Sequence, residues 1–256
     1  MTDQEIFKLK EDLANHVVKT TQHLVLIDPN TKMPFSGGSG CLIIYKERLF
    51  LVSVQHVTDK IGKETCIDLG KTKDDGTDLY NVGAMNYVDQ YRIEGLDTVD
   101  PELIELKPLD LTYVEIKGDL EVFQKERQFG EYKITAGNKQ MHYAETPEIP
   151  NKNECYSFFG RIRGKLNGNI LEQQEKLVFC IKYDCKIENF ERFLLHENIT
   201  DPFDYKGTSG APIISETGEI VAFVSKGIRG TNHLYGFSSA ELKKFLDIYI
   251  EQNPVE

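Results

Sequence analysis

A chain of 256 residues with 40% hydrophobic and 28% charged content can fill one large or two-lobed domain and is too apolar to stay disordered. Its net charge of -11 excludes a broad basic phosphate-binding surface, so no nucleic-acid partner is expected. No apolar run approaches the roughly 20 residues of a membrane span, so no membrane partner is expected either.

The polar, acidic opening Met1-Thr2-Asp3-Gln4-Glu5 is unlike a signal peptide. The five cysteines, Cys41, Cys66, Cys155, Cys180 and Cys185, are odd in number and scattered. Together these features read as reduced thiols in a cytoplasmic protein. Cys180 and Cys185 lie near His196, but a fourth ligand and familiar zinc spacing are missing, so they read as buried strand residues, with neither metal nor cofactor.

Thr2 and Glu5 have capping-box spacing, and Ile6, Leu9, Leu13 and Val17 recur at helical intervals, which predicts an amphipathic helix over 2–19. From Gln22 the texture changes to short runs of β-branched and aromatic residues, predicting strands near 22–28, 40–46, 48–54, 64–69, 79–88 and 109–116. The pair 40–46 and 48–54 is a hairpin, opened by a flexible Ser36-Gly37-Gly38-Ser39-Gly40, and its second strand runs into Gln55-His56-Val57. Segment 89–105 collects acidic residues and reads as a solvated loop. After it, Leu109-Asp110-Leu111 places an aspartate at a strand mouth, where it needs a hydrogen-bonding partner.

A polar stretch beyond 118 reads as a crossing between two halves. Strand texture resumes at 154–160, 176–187, 190–196, 211–215, 219–225 and 233–237. Ser238 and Glu241 again have capping-box spacing, ahead of a terminal helix carrying Leu242, Phe245, Leu246 and Tyr249. Late in the chain, Gly207-Thr208-Ser209-Gly210-Ala211-Pro212 holds a serine in a tight glycine-flanked turn.

Val54-Gln55-His56-Val57, Leu109-Asp110-Leu111-Thr112 and Gly207-Thr208-Ser209-Gly210-Ala211-Pro212 resemble the three motifs of trypsin-like serine proteases, in that fold's order His, Asp, Ser. The separations, 54 residues (110 minus 56) and 99 residues (209 minus 110), leave room for one barrel and most of a second. The resemblance covers about 22–250 and is greatest to compact bacterial and intracellular members such as the high-temperature-requirement proteases, as in Ile213-Ile214-Ser215 and Gly218-Glu219-Ile220-Val221.

The resemblance implies an all-β fold of two six-stranded antiparallel β-barrels with a helix at each end. The expected divisions are a helix over 1–20, a first barrel over 21–120 with His56 and Asp110, a second over 121–237 with Ser209, and a helix over 238–252. It implies a serine endopeptidase with His56 as base, Asp110 as its orienting carboxylate, Ser209 as nucleophile and an oxyanion hole of Gly207 and Ser209 N–H groups. Protein or peptide substrates are expected to pair with Ser225, Lys226 and Gly227. Phe203 at the pocket base would favour a small or apolar side chain, and Asp204, if turned inward, Lys or Arg. His16, His23, His142, His196 and His233 read as satisfied surface or core groups.

Two departures are informative. Secreted members pair a cysteine fifteen residues before the histidine with one just after it; here the positions hold Cys41 and Val57, so that disulfide cannot form. Thr208 replaces the aspartate that binds a freshly cut N-terminus in zymogen-derived members, so activation by clipping is not expected. The expected setting is a regulatory, stress or defence pathway. The alternative is a catalytically silent or partner-activated protein of the same fold that acts as a protein-binding module with a regulatory partner.

Overall fold

In the computed structural model, residues 2–73, 76–92, 105–144, 149–168 and 170–254 are described. Helix α1 (Asp3–Thr20) begins at Thr2, whose hydroxyl accepts from the Glu5 N–H while the Glu5 carboxylate accepts from the Thr2 N–H, the reciprocal pair predicted from their spacing. The N-terminal sheet is built from β1 (Thr21–Ile27), β2 (Pro34–Tyr45), β3 (Arg48–Ser53), β4 (Glu64–Lys73), β5 (Gly76–Asn81), β6 (Asn86–Arg92) and β7 (Glu105–Glu115), with the single-turn helix α2 (Gln55–Thr58) between β3 and β4. Its strand order is β5-β4-β1-β2-β3-β7-β6. The acidic stretch read over 89–105 falls largely on residues 93–104, outside the described residues.

The predicted crossing holds short strands: β8 (Phe123–Gln124), β9 (Arg127–Phe129), β10 (Tyr132–Ile134), β11 (Gly137–Asn138) and β12 (His142–Tyr143). The last pairs in parallel with β2. The C-terminal half is a closed six-stranded barrel of β13 (Cys155–Asn167), β14 (Ile170–Ile187), β15 (Phe190–Leu194), β16 (Pro212–Ser215), β17 (Ile220–Gly227) and β18 (His233–Ser238). Helix α3 (Ser239–Gln252) follows it.

Three expectations need correction. Segment 36–40 is ladder-bound strand rather than a flexible opening, each residue pairing with β1. Its glycines serve close approach, because a Cβ at Gly38 would lie 2.4 Å from Val57 Cγ1 and one at Gly40 2.9 Å from the Val52 carbonyl oxygen. Ser238 is the N-cap of α3 without a side-chain capping bond; its N–H donates to the Asn189 carbonyl at 3.0 Å, and the Glu241 carboxylate accepts from Lys186 at 2.9 Å and Lys244 at 2.7 Å. The thiols are not all reduced: Cys155 and Cys180 form a disulfide, which removes the cysteine-based argument for a reducing compartment and takes Cys180 out of any ligand set with His196. Cys41 and Cys66 are buried and free, and Cys185 is free and half-buried.

Each half has its own apolar core, Leu24, Leu42, Leu51, Ile67 and Val114 in the first and Tyr156, Phe158, Phe193, Ile213 and Val221 in the second. A further core joins them, drawing Val17 and Val18 from α1, Phe50 and Leu111 from the first sheet, Phe159, Phe223 and Phe237 from the barrel, and Leu242 and Leu246 from α3. Long-range polar contacts reinforce it: Tyr45 donates to Asp247 at 2.5 Å, and Arg48 to the Asn253 carbonyl at 2.6 Å. No helix among the described residues is long and apolar enough to cross a membrane.

Candidate active site

His56 is delivered by chain direction. Strand β3 ends at Ser53, and the chain turns at once into α2, which lifts the imidazole to the surface with its side chain 50% exposed. Asp110 projects from β7, which pairs with β3 through Ser53 and Thr112 and is anchored by buried Leu109 and Leu111. The carboxylate meets His56 Nδ1 at 2.8 Å through Oδ1 and 3.0 Å through Oδ2, and Oδ1 also accepts from the His56 backbone N–H at 3.2 Å. The hydroxyl of Ser225 donates a short hydrogen bond to Oδ2. The partner that an aspartate between leucines requires is therefore a set of donors drawn from both halves of the molecule.

Burial raises the pKa of the Asp110 carboxyl, but hydrogen bonding and attraction from His56, with the Ser225 hydroxyl, outweigh it and hold the group below its ordinary value. A folded-state value below the unfolded one means that the stabilisation is present above about pH 3.9 and lost as pH falls through the folded value. The melting-temperature gap between wild type and Asp110→Asn is therefore expected to be widest near neutrality and to narrow as pH falls through the folded value. A gap independent of pH would contradict this.

The serine turn is fixed by contacts at every residue. Gly207 has φ 109° and Gly210 φ 86°, values that favour glycine. Between them Thr208 is fully buried and donates its hydroxyl to the Tyr205 carbonyl at 2.8 Å. Thr208 thus anchors the turn by local packing. Ser39 reaches across from β2: its Oγ donates to the Gly207 carbonyl at 2.8 Å and its N–H to the Ser209 carbonyl at 2.9 Å. The Gly210 N–H donates to the Val224 carbonyl at 2.7 Å.

Ser209 Oγ donates to the Ser225 carbonyl at 3.3 Å. Ser225 sits at a register shift in the β17–β18 ladder between Val224 and Lys226, the kind of irregularity that re-aims a residue. It is therefore a node between the serine and the aspartate, a role the sequence reading did not give it. Ser39 was missed as well; its signal was a serine set among three glycines in a strand.

Beside His56 and Asp110 lies a cavity of about 620 Å³ lined by Pro108, Leu109, Ile187, Phe190, Lys226 and Tyr235 among others. Phe203 is 56% exposed in a short 3-10 turn, with Lys206 Nζ 5.3 Å from its ring centre. Asp204 accepts from Arg163 Nε at 3.1 Å, and this guanidinium lowers its pKa. Gly227 lies against Ile199, whose Cδ1 would be 2.4 Å from a Cβ there.

No family model matches the chain, and no curated protein matches it in sequence. Solved structures do. The serine endoprotease of Yersinia pestis superposes with a TM-score of 0.51 at 10% identity over 95% of this chain, which spans 66% of that one, just under two thirds. A protein solved at atomic resolution as HBP gives 0.53 at 11% identity, covering 94% of this chain and 95% of that one. Human heparin binding protein gives 0.50 at 13%, with the same coverages of 94% and 95%.

The chain has the trypsin-like fold. At these identities the likeness speaks to fold alone, and the chemistry of this trypsin-like chain has to be argued from its own residues.

Proposed function

We propose that this chain is a serine endopeptidase that hydrolyses peptide bonds in protein or peptide substrates by acyl transfer to water. His56 takes the Ser209 proton as the serine attacks the carbonyl and returns it to the leaving amine, while Asp110 holds the imidazole tautomer and stabilises its charge. The N–H groups of Gly207 and Ser209 receive the developing oxyanion. The observation that carries this reading is the grip on Asp110: ring and backbone of His56 on one side and the Ser225 hydroxyl on the other. A purely structural aspartate would not need an imidazole that is itself half exposed to a cleft.

Asp204 is neutralised by Arg163, which supports a small or apolar side chain beside Phe203 over Lys or Arg. A substrate strand laid along Ser225, Lys226 and Gly227 would compete with Ser209 for the Ser225 carbonyl and release the hydroxyl toward His56. The setting that fits is a regulatory, stress or defence pathway.

The second reading, a protein-binding module that is silent or awaits a partner, is favoured by that same Ser209–Ser225 bond, which directs the hydroxyl to a carbonyl. One structural neighbour is also named for binding heparin. Labelling with a fluorophosphonate separates the two. The endopeptidase should label at Ser209 and lose the label in Ser209→Ala, and peptide-library profiling would then define the pocket. Equal labelling of the two forms, with and without peptide ligands, would sink the enzymatic reading.

A further inference from the structure

Away from the serine, a cavity of about 240 Å³ opens where β1, β4 and β13 meet the short strands of the crossing. Its lining holds five cationic side chains, Lys71, Lys125, Arg127, Lys139 and Arg161, against one carboxylate, Asp68, in a chain whose net charge is -11. The wall is closed by backbone on one side: Gly70 has φ 71°, and a Cβ there would lie 1.7 Å from the Phe123 carbonyl oxygen.

The nearby carboxylates are already committed. Asp68 accepts from the Gly70 N–H at 2.8 Å and from Arg161 at 2.8 Å, while Glu175, just behind, pairs with Arg127 and lies 3.6 Å from Arg161. What remains is donor capacity. His23, read from sequence as a satisfied group, is 3% exposed with both ring nitrogens buried and without a hydrogen-bond partner among the described residues, and Arg127 Nε is likewise buried and unpartnered among them. Lys139 is buried with its ammonium directed at the Thr21 carbonyl.

Unpaired buried polar atoms of this kind are costly and call for an occupant that satisfies them. We infer that the cavity binds a tetrahedral oxyanion, phosphate or sulfate, free or as the head of a small molecule, through Lys139, Arg127 and an N–H of His23. A compact dianion matches donors converging from three segments of the chain. Lys139 gives the site a built-in sensitivity. Burial, helped by Arg161 and Arg127 and opposed by Asp68 and Glu175, brings its pKa down to about 7, with neutral His23 beside it. A bound anion favours the protonated amine, so affinity falls as pH rises through that value.

Isothermal titration of the full chain in low-salt chloride buffer, with sulfate, inorganic phosphate and pyrophosphate as separate arms, tests the inference. One ion per chain should bind in at least one arm, roughly tenfold more weakly in Lys139→Gln and Arg127→Gln. Lys60→Gln, at an exposed residue outside the cavity lining, should keep wild-type affinity. Tighter pyrophosphate than phosphate would indicate a polyphosphate-bearing ligand. Sulfate stays a dianion between about pH 6 and 8, so its binding should weaken over that range through Lys139 alone. Should either variant fail to fold, the His23 ring nitrogen resonances of the wild type, shifting with saturating sulfate, give the same answer. No saturable binding in any arm, equal binding in all variants, or unmoved His23 resonances would each overturn it, leaving a cavity filled by water.

Discussion

His56→Ala is expected to lower turnover of a peptide or ester substrate by about 10⁶-fold, and Asp110→Asn by about 10⁴-fold, with circular dichroism spectra like the wild type's. The grading follows from the geometry. Without the imidazole no base accepts the Ser209 proton. In Asp110→Asn the new amide NH₂ can donate to His56 Nδ1, which puts the ring proton on Nε2 and removes the acceptor that the serine needs. The amide oxygen can take the place of either Oδ1, which accepts from the His56 N–H, or Oδ2, which accepts from Ser225, so only one of the two bonds is lost and the fold should survive. Steady-state kinetics on a substrate found by library profiling provides the check. Asp110→Asn retaining more than about a tenth of wild-type turnover would show that the carboxylate does not set the imidazole tautomer.

Gly210→Ala is expected to cost about 2–5 kcal/mol of stability. Roughly 1–2 kcal/mol comes from forcing a side chain into left-handed backbone, and roughly 1–3 from overpacking. The new Cβ would lie 2.0 Å from the Ser39 carbonyl oxygen and 2.4 Å from Ser53 Oγ. Neither can yield freely: Ser53 Oγ donates to that same carbonyl at 2.7 Å, and Ser39 is tied to Gly207 and Ser209. In a chain of this size that is a fall of about 10 °C in Tm. Gly62→Ala makes the control, since Gly62 also has positive φ, 70°, but nothing lies within 4 Å of its Cβ position. If the two variants melt together, the close packing around Gly210 is not what holds the serine turn.

The elements written in local periodicity were legible. The capping box and apolar stripe of α1, the β2–β3 hairpin and the alternation of the barrel strands all depend on neighbours a few residues apart. The order and separation of His56, Asp110 and Ser209 pointed to the fold as a motif does, although Asp110 lies mid-strand in β7 and not at the strand mouth where the sequence placed it. What escaped depends on residues brought together from afar. Ser225 lies 115 positions from Asp110, and its contact exists only because β17 shifts register there. Cys155 and Cys180 are 25 apart and meet only across the β13–β14 ladder, so a count of scattered cysteines could not pair them. The reciprocal half of the second capping box is taken up by distant groups: Asn189 accepts the Ser238 N–H, and Lys186, on another strand, holds Glu241. His23 looked ordinary because nothing in its sequence neighbourhood announces the charged groups that arrive from other strands.

The core that joins the two halves has a consequence for how the molecule is made. Val17 and Val18 leave the ribosome long before Phe223, Phe237 and Leu246, which belong to the same core, and His16 waits for a carbonyl 202 positions later, at Gly218. A topology so dominated by distant partners folds slowly, and its first helix stays sticky through most of synthesis. Neither half, expressed alone, would have its share of that core covered. The N-terminal sheet and the C-terminal barrel should therefore acquire protease resistance together, in one late step, after α3 has been synthesised.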